Sequence, residues 1–411
     1  MNSEVVTNDQ NIGTFKGAMQ DYWARVKSGD MGALPGVLGL VALCAVFGAM
    51  SDVFLTPGNF ANLLTQAAAV TVIAMGLVFV LLLGEIDLSA GYASGVCGAV
   101  LVILITRNGY PWWTALLISI VVGAILGYAI GTLVSRLGIP SFVVTLATFL
   151  AFQGLLLLLA GEGGTIRIED PTILSVQNNN LTPTLSWIFF IAAGALYILV
   201  GLARINSRRK AGLKSELKKL WALKTGALLV IGAGAVWALN LERSNNPELV
   251  SLKGTPYVVP VILLLLVGGT FVLGRTAYGR HIYAVGGNAE AARRAGINVK
   301  NIRTSAFVIC SAFAAVAGML FASRQNSISP TTGGSSTLLY AVGAAVIGGT
   351  SLFGGKGKMR DAVLGGLVVA VIDNGMGLLG YAAGIKFIVT GAVLLISAGV
   401  DAISRRGAST S

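Results

Sequence analysis

Charge is scarce in this chain. Only 11% of its 411 residues are Asp, Glu, Lys or Arg, against 55% hydrophobic, which leaves too little polar surface to cover a soluble globule of this length. Histidine is scarcer still: His281 stands alone, so a multi-histidine metal site is excluded. The three cysteines, Cys44, Cys97 and Cys310, each fall inside an apolar run at unrelated spacings. They read as small buried hydrophobes, with neither disulfide nor metal spacing. No metal and no other cofactor is expected. A nucleotide-binding motif is also missing. LFGGKGKMR at 352–360 has the look of a phosphate loop, but Thr350 stands where the first glycine of G-x-x-x-x-G-K-[ST] must be. The chain therefore has no site of its own for hydrolysing ATP, and no catalytic motif marks it as an enzyme. The scarcity of acids leaves a net charge of +12. No basic run interleaves with aromatics on a soluble domain, so nucleic acid is not an expected partner.

What the chain has in abundance is apolar runs of membrane-spanning length. They fall near 34–54, 61–83, 88–106, 112–135, 140–160, 185–203, 223–241, 257–274, 304–323, 338–354, 361–381 and 386–404. The fold class is all-α: a polytopic membrane protein of ten to twelve spanning helices with a short cytoplasmic helix. The 54 glycines suit close helix–helix contact in lipid. A polar N-terminal segment, 1–33, has no signal-peptide core; Phe15, Met19, Tyr22 and Val26 recur at helical spacing, which fits a surface helix over 14–27 or a chance stripe. A spanning domain over 34–404 and a cytoplasmic tail over 405–411 complete the organisation. Alternating the spans from an inner N-terminus puts 23 of the 29 lysines and arginines inside and six outside, so both ends are expected in the cytoplasm of a multi-pass inner-membrane protein. The basic insert at 204–224 reads as a cytoplasmic loop drawn to anionic membrane lipid. The outer loop 161–184, with Glu162, Arg167, Glu169 and Asp170, is the largest extracytoplasmic surface.

Two polar passages interrupt this pattern. In TAYGRHIYAVGGNAEAARRAGINVKNIR at 276–303, Gly286 and Gly287 open a turn and Asn288 sits at a helix N-cap. Ala289–Ala295 then reads as a short helix with Glu290 in its first turn, Arg293 and Arg294 near its end, and Gly296 as its stop. Residue pattern alone leaves open an ordered loop or a docking helix that presents Ala291, Ala292 and Ala295. GEIDLSAG at 84–91 places Glu85, Asp87 and Ser89 between two spans. These groups either cap the backbone of a broken helix or line a path. Asp373 and Asn374, read as lying in the middle of a span, either line a path or make structural hydrogen bonds between helices. Gly84, Leu88 and Gly91 recur as Gly348, Leu352 and Gly355, an internal echo of the kind transporters with paired repeats carry.

YGRHIYAVGGNAEAARRAGINV and GEIDLSAG resemble the two signatures of bacterial ABC-importer permeases for monosaccharides, and the likeness extends over nearly the whole chain. The basic insert is most like that of the xylose-type permeases. The resemblance implies a coupling loop at 276–303 docking on an ABC ATP-binding subunit, a second copy of the chain completing one pore, and an extracytoplasmic sugar-binding protein delivering substrate. The alternative is a secondary sugar transporter driven by protons or sodium through Asp87 or Asp373.

Overall fold

A computed structural model describes residues 34–161, 164–211, 218–244 and 246–409. The surface helix expected over 14–27, Glu162, and the centre of the basic insert at 212–217 lie outside the described residues. Among those described, eight helices are long and apolar enough to cross a membrane, and four shorter apolar ones join them. Every apolar run marked in the sequence carries one of these helices. Contact clustering separates two compact units, one built from Gly32–Asn180 and Pro256–Asp401, the other containing Leu181–Thr255.

In the larger unit, α1 (Leu34–Met50), α2 (Pro57–Leu81), α3 (Ala90–Thr106), α4 (Trp112–Ser135) and α5 (Ser141–Ala160) come first. The strand β1 (Ile166–Arg167) and the short helix α6 (Pro171–Asn178) follow. Helix starts obey local chemistry: Thr56 caps α2 by accepting from Asn59 N, with Pro57 at the first helical position. Asp170 caps α6 the same way, its Oδ1 accepting from Thr172 N and Ile173 N at 2.9 Å each.

The centre of this unit is α12 (Val299–Gln325), flanked by α2, α3 and α4. Gly123, Gly127 and Gly131 recur every fourth residue on α4 and lie against the α12 backbone at Ser311, Phe307 and Thr304. This small-residue stripe lets the two helices approach closely where lipid offers no hydrophobic drive for association. Beyond α12, the strand β2 (Ser327–Ile328) pairs antiparallel with β1, Ile166 opposite Ile328.

Next comes α13 (Ser335–Ile347), where the expected span at 338–354 proves shorter. Thirteen residues rise about 20 Å, less than the ~30 Å hydrocarbon layer. The rest of that run is a glycine-rich turn, with Gly349, Gly354 and Gly355 at positive φ, where a continuing helix has no place. α14 (Met359–Leu378) and α15 (Ala383–Ser409) close the chain, and the backbone of α15 carries on through the start of the expected tail.

The second unit is a helical hairpin, α7 (Pro183–Lys210) and α8 (Lys218–Asn240). Gly201 accepts the Trp221 ring and Gly232 the Phe190 ring. Both helices reach into the basic insert, so Arg204 and Lys219 sit on helix ends rather than in a loop. In the loop beyond α8, Glu242 collects the backbone N–H groups of Arg243, Ser244 and Leu252 and the Ser251 hydroxyl. Led by the Leu252 and Ser244 N–H groups, these bonds pull its carboxyl down to about 2.

Candidate coupling site

The sequence at 276–303 folds as three pieces. α9 (Val258–Arg275) ends at Thr276, whose hydroxyl donates to Val272 O (2.6 Å) and accepts from Gly279 N (3.1 Å). α10 (Ala277–Gly287) then runs through Gly286 and Gly287, where the sequence suggested a turn. The turn comes one residue later. Asn288 ends α10 and caps α11 (Ala289–Arg294), its Oδ1 accepting from Ala291 N at 2.9 Å. Glu290 pairs with Arg293 (2.6 Å) and Arg294 (3.3 Å) on the exposed side. Gly296 stops the helix at φ 83° with open space around its α-carbon, a conformation L side chains resist. Asn298 opens α12 by accepting from Asn301 N.

One face of this assembly is buried: Ile282, Val285 and Ala292. Ala292 therefore packs inward and does not join the exposed small face expected of it. Ala291, Ala295, Gly287 and Asn288 stay exposed, beside Glu290 and Arg293.

Beneath the buried face lie the two echo motifs. Gly84 (φ 71°) turns the chain after α2, and the hairpin closed by Ser351 N donating to Lys356 O (2.9 Å) follows α13. Gly355 N donates to Leu82 O at 2.8 Å, so the two glycine turns are hydrogen-bonded to each other. Gly286 sits so close above them that a Cβ there would run into the Leu82 carbonyl oxygen. The Tyr283 hydroxyl donates to Gly357 O (2.6 Å). Burial, then the charge of Asp361, push the Tyr283 phenol up, which keeps it a donor at neutral pH. Arg303, on the first turns of α12, meets Glu85 at 3.3 Å as an ion pair without hydrogen-bond geometry.

The polar residues flagged in the sequence do not converge on one place. Glu85, Asp87 and Ser89 lie past the C-terminal end of α2. Asn374 lies near the other end of that helix, about 37 Å long by its 25 residues, where it exchanges two 2.9 Å hydrogen bonds with Asn59. Asp87 is fully buried; its Oδ1 accepts from Ser89 N (2.8 Å) and the Ser89 hydroxyl (2.6 Å). This pins the first turn of α3, while its Oδ2 has no hydrogen-bond partner and the Cys310 thiol lies near the carboxyl group. Asp373 is not mid-span. It sits in the last turns of α14, 43% exposed, paired with Lys386 at 3.4 Å. Near it, Arg324 donates to Thr65 (2.8 Å) and Asn62 (3.4 Å). Sequence reasoning missed the Glu85–Arg303 and Tyr283–Gly357 contacts. The available hint was Glu85 itself, since an acid beside an apolar span needs a partner.

The branched-chain amino acid transport system / permease component family matches residues 59–398. A xylose transport system permease protein from Escherichia coli K12 is 35% identical over 93% of this chain and 94% of its own length. A second, from Haemophilus influenzae, is 32% identical over 93% and 99%. A D-allose transport system permease protein from Escherichia coli K12 is 28% identical over 88% and 89%. No solved structure matches the chain. With its membrane-length helices and a match across most of its length, this multi-pass membrane protein belongs to the family of branched-chain amino acid transport system permease components.

Proposed function

We propose that the chain is the membrane permease of an ABC importer for a monosaccharide, xylose or a similar pentose, in the cytoplasmic membrane. A separate ATP-binding subunit drives it, a second copy completes the pore, and an extracytoplasmic binding protein delivers the sugar. The observation that carries this reading is the two-sided α10–α11 shoulder. Its inner face (Ile282, Val285, Ala292) is locked to the core, while Gly287, Asn288, Glu290, Ala291, Arg293, Ala295 and Gly296 face outward from the chain. Such a block can take a push from a partner and pass it inward. The names of the relatives support the sugar and the pentose. On this reading the shoulder and both chain ends are cytoplasmic, in line with the basic-residue bias.

Of the acids expected along a path, Asp373 alone keeps a well-exposed carboxylate, and we assign it to the outer mouth. Glu85, Asp87, Ser89 and Asn374 are assigned structural work by the bonds they make. Against the ion-driven alternative, Asp87 Oδ1 is engaged by Ser89 and Asp373 by Lys386. The test is affinity purification from detergent with uptake of labelled xylose in the same cells. Retention of the ATP-binding subunit and ATP-dependent uptake support the importer; uptake abolished by an uncoupler while ATP is maintained removes it.

A further inference from the structure

The shoulder explains where a cassette docks; the layer beneath it says how the push travels. We propose that Glu85 and Arg303 are the positioning pair that ties the coupling segment to the spans α3 and α5, an assignment that rests on the importer reading above. Two neutral contacts hold α10 over the glycine turns: Gly286 against the Leu82 carbonyl and Tyr283 on Gly357 O. The charged contact differs. Among the described residues, Glu85–Arg303 is the one ion pair joining 82–89 to 276–303. Its side chains are 14% and 32% exposed, so it is screened less than a surface pair, and losing either partner strands a charge in a poorly hydrated place.

The turn carrying Glu85 is itself bolted outward in two directions. Ile86 N donates to the Ser141 hydroxyl (3.3 Å), and Ile86 O lies 3.2 Å from the Thr145 hydroxyl, which shares its proton with Ser141 O at 2.8 Å, both on α5. Asp87 grips Ser89 at the start of α3. Arg303 lies at the other end of the chain of contacts, on the helix that α11 feeds into through the Gly296 turn. A displacement of α11 is carried by Arg303 to Glu85, and from Glu85 to two spans at once. The first turn of α3 and the first turn of α5 then move as one body.

The test is made on the assembled transporter, comparing Glu85→Arg, Arg303→Glu and the swapped double variant for sugar uptake, retention of the ATP-binding subunit, and stimulation of ATPase by loaded binding protein. Each single change is expected to lower uptake about ten-fold and to abolish stimulation while the subunit stays bound; the swap returns uptake to within about three-fold of the parent. A purely structural role predicts loss of the assembled complex in step with uptake. Should Arg303→Glu fail to assemble, Arg303→Lys and Arg303→Gln carry the comparison: Lys keeps about a third of the uptake or more, Gln less than about a tenth. Single variants that transport like the parent, a swap as poor as the singles, or equal uptake with Lys and Gln would overturn the pairing. Absence of the ATP-binding subunit from the parent preparation would strike the importer reading itself.

Discussion

The two ends of α2 handle polar groups in opposite ways. Past its C-terminus, Glu85 and Asp87 are enclosed and bound to other elements by charge, by Ser89 and by glycine turns that touch. Near its N-terminus, Asn59 and Asn374 form a closed amide pair, while Asp373 and Lys386 keep partial access to the surroundings. A motif rich in glycine and acids therefore marks a rigid joint, where backbones must nearly touch. The accessible carboxylate sits in a stretch with no motif at all.

The sharpest break of this contrast is Gly286→Leu. The side chain has only the Leu82 carbonyl to occupy, so the coupling segment must lift off the glycine turns; over-packing of this kind costs about 1–3 kcal/mol. Uptake per inserted molecule should fall by roughly a hundred-fold, since the cost is concentrated at the joint. Near-normal uptake would mean that the turns and the shoulder need not touch.

At the other end, Asn374→Leu leaves Asn59 buried without its partner. The expected loss is about 1–3 kcal/mol of stability, read as a lower unfolding midpoint in detergent, with transport per folded molecule little changed. Replacing Asn59 by Leu as well should recover only part of the midpoint, because the amide pair is gone but Phe54 O loses its Asn59 Nδ2 donor.

These two sites also mark how far the sequence could be read. Apolar runs located every spanning helix, Asn288 was legible as a cap from its type and place, and Gly296 as a stop. The short α13 was not, because Gly348–Gly355 carries enough apolar neighbours to look like the end of a span. Gly286–Gly287 reads locally as a turn, yet packing against Leu82 keeps the helix going. Ala292 and Ala291 are equivalent by composition, and only the rotation of α11 on its seat buries one and exposes the other. Glu85 and Arg303 stand more than two hundred positions apart, beyond the reach of any local pattern.

Gly296→Leu probes the same joint more gently. Its surroundings are open, so the cost is the positive φ alone, about 1–2 kcal/mol, whereas Gly296→Asn should be tolerated because Asn adopts that conformation readily. A several-fold drop in uptake for Leu and little for Asn is expected; equal effects would point to lost contact area rather than backbone strain.

The smallest effect lies in the separate hairpin unit, where Glu242 is held by backbone N–H groups and the Ser251 hydroxyl, with Lys253 at 3.8 Å. Its folded pKa is depressed from 4.5 to about 2, so its contribution is present above the unfolded value and disappears as pH falls through about 2. Protection of the Leu252 amide, measured against its intrinsic exchange rate, should hold down to about pH 4 and fall toward pH 2, and Glu242→Gln should flatten that dependence. An unchanged profile in the variant would assign the protection to the fold of the loop alone.

The central claim, that the exposed face of α11 is where an ATP-binding subunit pushes, is tested most directly by cross-linking from Ala295→Cys, with Ala292→Cys as the buried control. A short heterobifunctional reagent, thiol-reactive at one end and photoreactive at the other, should join Ala295→Cys to the ATP-binding subunit in native membranes, change in yield when ATP is added, and leave Ala292→Cys unreacted. Transport-competent Ala295→Cys protein that forms no such adduct, or equal adducts from both positions, would contradict it.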